Sequence, residues 1–137
     1  KPMEEAKILI VDDDPDIVEA LKMTLEAHRY KVHTAANGTE GLKQVKAVNP
    51  DLIILDVMMD TITEGFQVSY QLRNPDPKSE YAKFIKIPIL MLTAIVEKKQ
   101  MKFSTQKDGD FLPVDDFVEK PIRPQVLLEK VKNLLKK

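Results

Sequence analysis

The sequence predicts an α/β fold in which a parallel sheet is covered by helices on both faces, and three observations carry that prediction. Short apolar runs alternate with stretches of helical periodicity from one end of the chain to the other. Leu52-Ile53-Ile54-Leu55 is apolar on both faces, as a strand must be when helices cover both sides of its sheet. Right-handed crossovers then bring the carboxyl ends of the runs to one edge, where ligands bind in such folds.

The elements follow in order. Lys7-Ile8-Leu9-Ile10-Val11 is a buried strand closed by Asp12-Asp13-Asp14-Pro15. Asp14 is placed to cap a helix and Pro15 suits its first position. Ile17, Val18, Leu21 and Leu25 continue at helical spacing, with Asp16 and Glu19 near the positive end of the dipole. A weaker strand over 32–35 leads to the turn Asn37-Gly38. Thr39 is placed to cap the next helix, which runs through Leu42, Val45 and Val48 to the stop at Asn49-Pro50. The third strand, 52–55, ends at Asp56, and a helix over 65–73 uses Phe66, Val68 and Leu72. Residues 74–86 are long and polar for a connection and read as an elaborated loop. Residues 87–93 form the fourth strand and 117–119 a short fifth. Between them a helix over 96–105 is only weakly patterned, with Met101 and Phe103 its clear apolar positions. Pro124 opens a last helix through Leu127, Leu128, Val131, Leu134 and Leu135. Five strands alternate with five helices, without internal repeat or low-complexity tract.

Composition excludes several function classes. The 137 residues, 43% of them apolar, suit one domain with one core. Lys plus Arg number 21 and Asp plus Glu 22, so charge gives no reason to expect nucleic-acid binding by this chain. Cysteine is absent, which removes disulfides and thiolate metal sites. No apolar run approaches the roughly 18 residues of a membrane span, and no apolar segment follows Lys1-Pro2-Met3-Glu4-Glu5 as a signal peptide requires. The expectation is a soluble, cytoplasmic protein without membrane contact. Because the chain begins with Lys, it is open to being a piece of something longer.

The polar residues at the strand ends carry the chemistry. Asp12 and Asp13 follow strand one, Asp56 ends strand three, Thr93 ends strand four, and Lys120-Pro121 follows strand five. Two carboxylates about 4 Å apart repel by roughly 1 kcal/mol in water and about 4 kcal/mol at an effective dielectric of 20. Folding alone does not require that repulsion, so a cation is expected there. A hard divalent ion, Mg²⁺ or Mn²⁺, prefers such oxygens and readily shares them with phosphate. Asp56 can then attack phosphorus while the ion and Lys120 hold the equatorial oxygens.

Those motifs identify a family. The sequence resembles the receiver domains of two-component response regulators in Ile8-Leu9-Ile10-Val11-Asp12-Asp13-Asp14-Pro15 and in Asp51-Leu52-Ile53-Ile54-Leu55-Asp56-Val57-Met58-Met59. Leu92-Thr93-Ala94 and Val118-Glu119-Lys120-Pro121 complete the match. The resemblance covers residues 6–137. It implies a flavodoxin-like, chemotaxis-regulator-like (βα)5 fold with strand order 2-1-3-4-5, and one receiver domain over 1–137 with no effector domain. It implies Asp56 as phosphoacceptor and Mg²⁺ ligand, Asp13 as a direct ligand beside Asp12, and the Met58 backbone carbonyl as the third protein ligand. Thr93 would bond a phosphoryl oxygen, Lys120 would pair with it, and Phe117 would follow Thr93 as a switch aromatic. The Lys120–Pro121 peptide is usually cis in the family. Implied partners are a sensor histidine kinase or phosphotransfer protein and an unidentified effector, with a phosphorylation-dependent dimer as one possible output. The switched surface would surround the 96–105 helix and the fifth strand.

The chain also departs from the family. Asp60 stands where Pro is common, Gly65 falls one residue late, and 74–86 and Asp108-Gly109-Asp110 exceed the common length. Two other functions compete. A haloacid-dehalogenase-type phosphohydrolase also uses an Asp nucleophile and Mg²⁺, but it wants an acid two residues on, where this chain has Met58. A degenerate receiver that only docks would not need the whole set of Asp12, Asp13, Asp56, Thr93 and Lys120.

Overall fold

The computed structural model describes residues 6–56, 62–93 and 114–136, with 62–66 described by backbone alone. Met58, Asp60, Ile95, the helix expected over 96–105 and Asp108-Gly109-Asp110 lie outside them. The described elements are β1 (Lys7–Val11), α1 (Pro15–Ala27), β2 (Lys31–Ala35), α2 (Gly38–Val48), β3 (Leu52–Asp56) and α3 (Ile62–Leu72). A 3₁₀ turn (Ala82–Phe84), β4 (Ile89–Thr93), β5 (Asp116–Glu119) and α4 (Pro124–Leu135) follow. The five strands form one parallel sheet in the order β2-β1-β3-β4-β5, as expected.

Strand parity divides the core. Ile8, Ile10, Leu52, Ile54, Leu90, Leu92 and Val118 face α1 and α4, where Leu21, Leu25, Leu127, Val131 and Leu134 meet them. Leu9, Val11, Ile53, Leu55, Ile89 and Met91 face the other way, onto Val45 of α2 and Val68 and Leu72 of α3. β3 and β4 are buried along their whole length, the consequence of runs apolar on both faces. Burying each such Leu or Ile contributes roughly 1.5–3 kcal/mol, so the central strands anchor the fold.

Local signals act mostly as expected. The Asp14 carboxylate accepts from Asp16 N–H at 3.0 Å and Ile17 N–H at 3.5 Å, and Pro15 opens α1. Asn49 ends α2 in the left-handed conformation, φ 54°. The α2 cap differs: Asn37 Oδ1 accepts from Glu40 N–H at 2.8 Å, so the helix starts at Gly38 and Thr39 lies inside it. Asn37 stands three residues before that amide, the reach of a capping side chain, whereas Thr39 is already helical. α3 begins at Ile62, three residues before the expected start at Gly65.

Residues 74–86 are more than a polar loop. Asp76 and Lys78 N–H donate to the Asn74 and Asp76 side chains in successive turns. The segment then inserts Tyr81 and Phe84 into the core on the α2/α3 face. Lys46 of α2 covers the Tyr81 ring at 4.9 Å and pairs with Glu80. Two aromatics among thirteen mostly polar residues leave no periodic trace, so only the packed structure shows that the segment is anchored.

Candidate phosphoacceptor site

Parallel register sets which strand ends meet. Val11 pairs with Leu55, so Asp12 and Asp56, one residue further on, become neighbours. Asp56 pairs with Leu92, which puts Thr93 one step beyond it. Thr93 pairs with Glu119, which puts Lys120 one step beyond that. Lys120 N–H donates to the Thr93 carbonyl at 2.7 Å. The Lys120 ammonium turns inward and donates to Asp56 Oδ1 at 3.2 Å. The Lys120–Pro121 peptide is cis, as the resemblance implied.

Carboxylate oxygens of Asp12, Asp13 and Asp56 lie within 4.8 Å of one another. Asp12 and Asp56 are 2% and 1% exposed, and Thr93 is fully buried; Asp13 faces solvent. An open cleft of about 200 Å³, lined by Asp12, Asp13, Pro15, Val18 and Thr34, reaches Asp12 and Asp13 from outside. Phe117 is half-buried beside the α2/α3 core, paired with Met91, two residues before Thr93 on the same sheet face. Met58 lies outside the described residues.

Only one of the two Asp12 carboxylate oxygens has a hydrogen-bond partner among the described residues. Its Oδ1 accepts from Asp14 N–H at 2.9 Å, while its buried Oδ2 has no hydrogen-bond partner among the described residues. Buried polar atoms are almost always satisfied, so this one marks the place of a proton or a cation. Burial pushes the Asp12 carboxyl from 3.8 up to about 7, the Asp14 N–H opposes the rise, the Asp56 charge adds to it, and Lys120 opposes it. Without a cation, a proton shared between Asp12 and Asp56 relieves the repulsion. With one, three oxygens and a buried orphan lone pair are already placed for an oxygen-loving divalent ion.

That raised value gives a pH dependence of stability. Asp12 keeps its proton in the fold up to about pH 7 but in the unfolded chain only to about 3.8. Its contribution is therefore whole below about 3.8 and is lost as the pH rises through about 7. In a chelating buffer Asp12→Asn, which stays neutral, should lose less melting temperature than the parent between pH 5 and pH 8, by at least several degrees. Parallel curves for the two proteins would contradict the raised value.

Three supporting residues escaped the sequence reading. Gly41 of α2 lies so close to β1 that an added Cβ would meet Val11 Cγ2 at 2.9 Å. A side chain there would press on the residue just before Asp12. Arg73 and Asp115 form an ion pair at 2.5 Å at the opposite edge of the sheet. A glycine inside a helical pattern and two charges 42 residues apart carry no local signal of contact.

The response regulator receiver domain model matches residues 8–132. The chain is 37% identical over 131 residues to the alkaline phosphatase synthesis transcriptional regulatory protein PhoP of Bacillus subtilis, covering 96% of this chain and 49% of that protein. It thus spans about half the length of the curated relatives it matches. Chemotaxis protein CheY4 of Vibrio cholerae superposes with a TM-score of 0.72 at 32% identity, covering 95% of this chain and 98% of that one. The signal receiver domain of a signal transduction histidine kinase from Syntrophus aciditrophicus gives 0.73 at 30% identity, covering 96% and 90%. No described helix is long and apolar enough to cross a membrane. A five-stranded parallel sheet with an acidic cluster and a lysine at its carboxyl edge, matched by a family model over nearly its whole length, makes this chain a member of the response regulator receiver domain family.

Proposed function

We propose that residues 6–137 act as one receiver unit that takes a phosphoryl group on Asp56 from the phosphohistidine of a sensor kinase or phosphotransfer protein. The observation that carries this is the 3.2 Å contact between Lys120 Nζ and a buried Asp56 that shares its corner with two further carboxylates. The Asp56 carboxylate oxygen forms a bond to phosphorus as the phosphorus–nitrogen bond breaks, and the donor imidazole keeps that electron pair and takes up a proton. Asp12, Asp13 and Asp56, with the Met58 carbonyl, are the residues that would hold Mg²⁺ (or Mn²⁺). The ion, when bound, neutralises the acids and draws phosphate oxygens to them. Lys120 holds an equatorial oxygen, and the Thr93 hydroxyl donates to another. Burial strengthens both interactions, since water competes poorly at that depth.

The phosphate adds roughly 1.5 to 2 negative charges at the strand ends. Thr93 and Lys120 move toward it, Phe117 repacks behind Thr93, and the surface around β5 changes. A downstream effector reads this surface. The test is a small phosphodonor such as acetyl phosphate: intact mass should show one added phosphoryl group with Mg²⁺ and almost none with chelator. Millimolar Mg²⁺ should also raise the melting temperature by mass action, and Asp13→Ala should lose most of that rise. Labelling indifferent to the ion would remove it from the mechanism.

A further inference from the structure

Lys120 acts only if β5 lies in its proper register, yet β5 has weak means of its own to find it. It is a four-residue strand that, among the described residues, pairs only with β4. Among its residues only Val118 is fully buried. Sliding a strand by one residue turns every side chain to the other face, which would carry Lys120 away from Asp56.

The entry to β5 is pinned from outside the sheet. Arg73, just past the end of α3, splits its guanidinium between two elements. One nitrogen donates to the Ile85 carbonyl at 2.8 Å and the other to Asp115 Oδ2 at 2.5 Å. The same Asp115 oxygen accepts from Ile89 N–H, the first amide of β4, at 2.8 Å. Asp115 N–H donates to the Ile89 carbonyl at 3.0 Å. Asp115 thus clasps Ile89 through both backbone and side chain, and Arg73 holds the clasp. The pair is partly sheltered, with side chains 19% and 33% exposed. A planar fork suits this double contact, which a lysine ammonium would make less well.

We infer that Arg73 is a positioning residue for phosphoryl uptake: through Asp115 it sets the register and tilt of β5 on β4 and so places the Lys120 ammonium on Asp56. The inference rests on the role proposed above for Lys120. The Arg73 guanidinium bonds go to Ile85 and Asp115, at the sheet edge opposite the acidic cluster, so the ion site should not depend on it.

The experiment is a double-mutant cycle on the rate of phosphoryl uptake from acetyl phosphate, read by intact mass at saturating Mg²⁺. Arg73→Met should slow uptake about tenfold, short of the roughly 10²-fold that a 1 Å misplacement can cost. It should leave the Mg²⁺-induced rise in melting temperature as in the parent. Arg73→Met with Lys120→Met should be no slower than Lys120→Met alone, because both changes remove one interaction. Asp115→Asn, which keeps an acceptor for Ile89 N–H, should slow uptake to a smaller degree and serves if Arg73→Met folds poorly. If Lys120→Met slows uptake but neither Arg73→Met nor Asp115→Asn does, the inference fails and the role of Lys120 stands. Multiplying effects in the double mutant would make Arg73 a general stabiliser and overturn the inference too. If Lys120→Met itself has no effect, the proposed function fails at that residue.

Discussion

Asp56→Asn should take no phosphoryl group from acetyl phosphate under conditions that label the parent fully. An amide oxygen is a poor nucleophile toward phosphorus, and the substitution removes one negative charge from the acidic cluster. Among the described residues no other carboxylate shares the position of Asp56, which is 1% exposed, ends β3 and lies 3.2 Å from the Lys120 ammonium. Asp12 is as deeply buried, but its Oδ1 is engaged by the Asp14 N–H at 2.9 Å. Asp13 is exposed and has no such lysine contact among the described residues. The variant should still fold and, with one carboxylate fewer in a crowded corner, should melt no lower than the parent in chelator. Undiminished labelling of the Asn variant would place the acceptor elsewhere.

The second large effect concerns how long the phosphorylated form lasts. Hydrolysis needs a water in line with the scissile P–O bond, held by a group that accepts its hydrogen bond. By analogy with the family, the side chains placed to do so stand two residues after the acceptor and two after the threonine. In this chain they are Met58 and Ile95, neither of which accepts a strong hydrogen bond or takes a proton. A positioned acid or base contributes about 10²- to 10⁴-fold in rate, and orientation of the water supplies part of that. The phosphorylated protein is therefore expected to decay slowly, and Met58→Asn with Ile95→Glu should speed decay at least tenfold, at the cautious end of that range. The measurement is loss of phosphate after the donor is removed, at constant Mg²⁺. Decay no faster in the double mutant would mean that other groups control water access, with Asp60 in the altered loop the first to test.

The sequence by itself determined the layered α/β class, all five strands to within two residues, and the placing of Asp12, Asp56, Thr93 and Lys120 at the strand ends. These were legible because their physical causes are local. Apolar runs such as Leu52-Ile53-Ile54-Leu55 suit only a strand buried on both faces, and a carboxylate that closes such a run must sit at the sheet edge. The cap at Asp14 and the stop at Asn49 are equally local. Only the tertiary structure decided that Asn37 caps α2, that Tyr81 and Phe84 anchor 74–86 in the core, and that Arg73 and Asp115 clasp the start of β5. It also decided that one Asp12 oxygen is buried without a hydrogen-bond partner among the described residues, while Asp13, the next residue, stands in solvent. Each depends on which segments meet in space, on strand register and on helix-to-sheet distance, and a run of residue types does not encode those quantities locally.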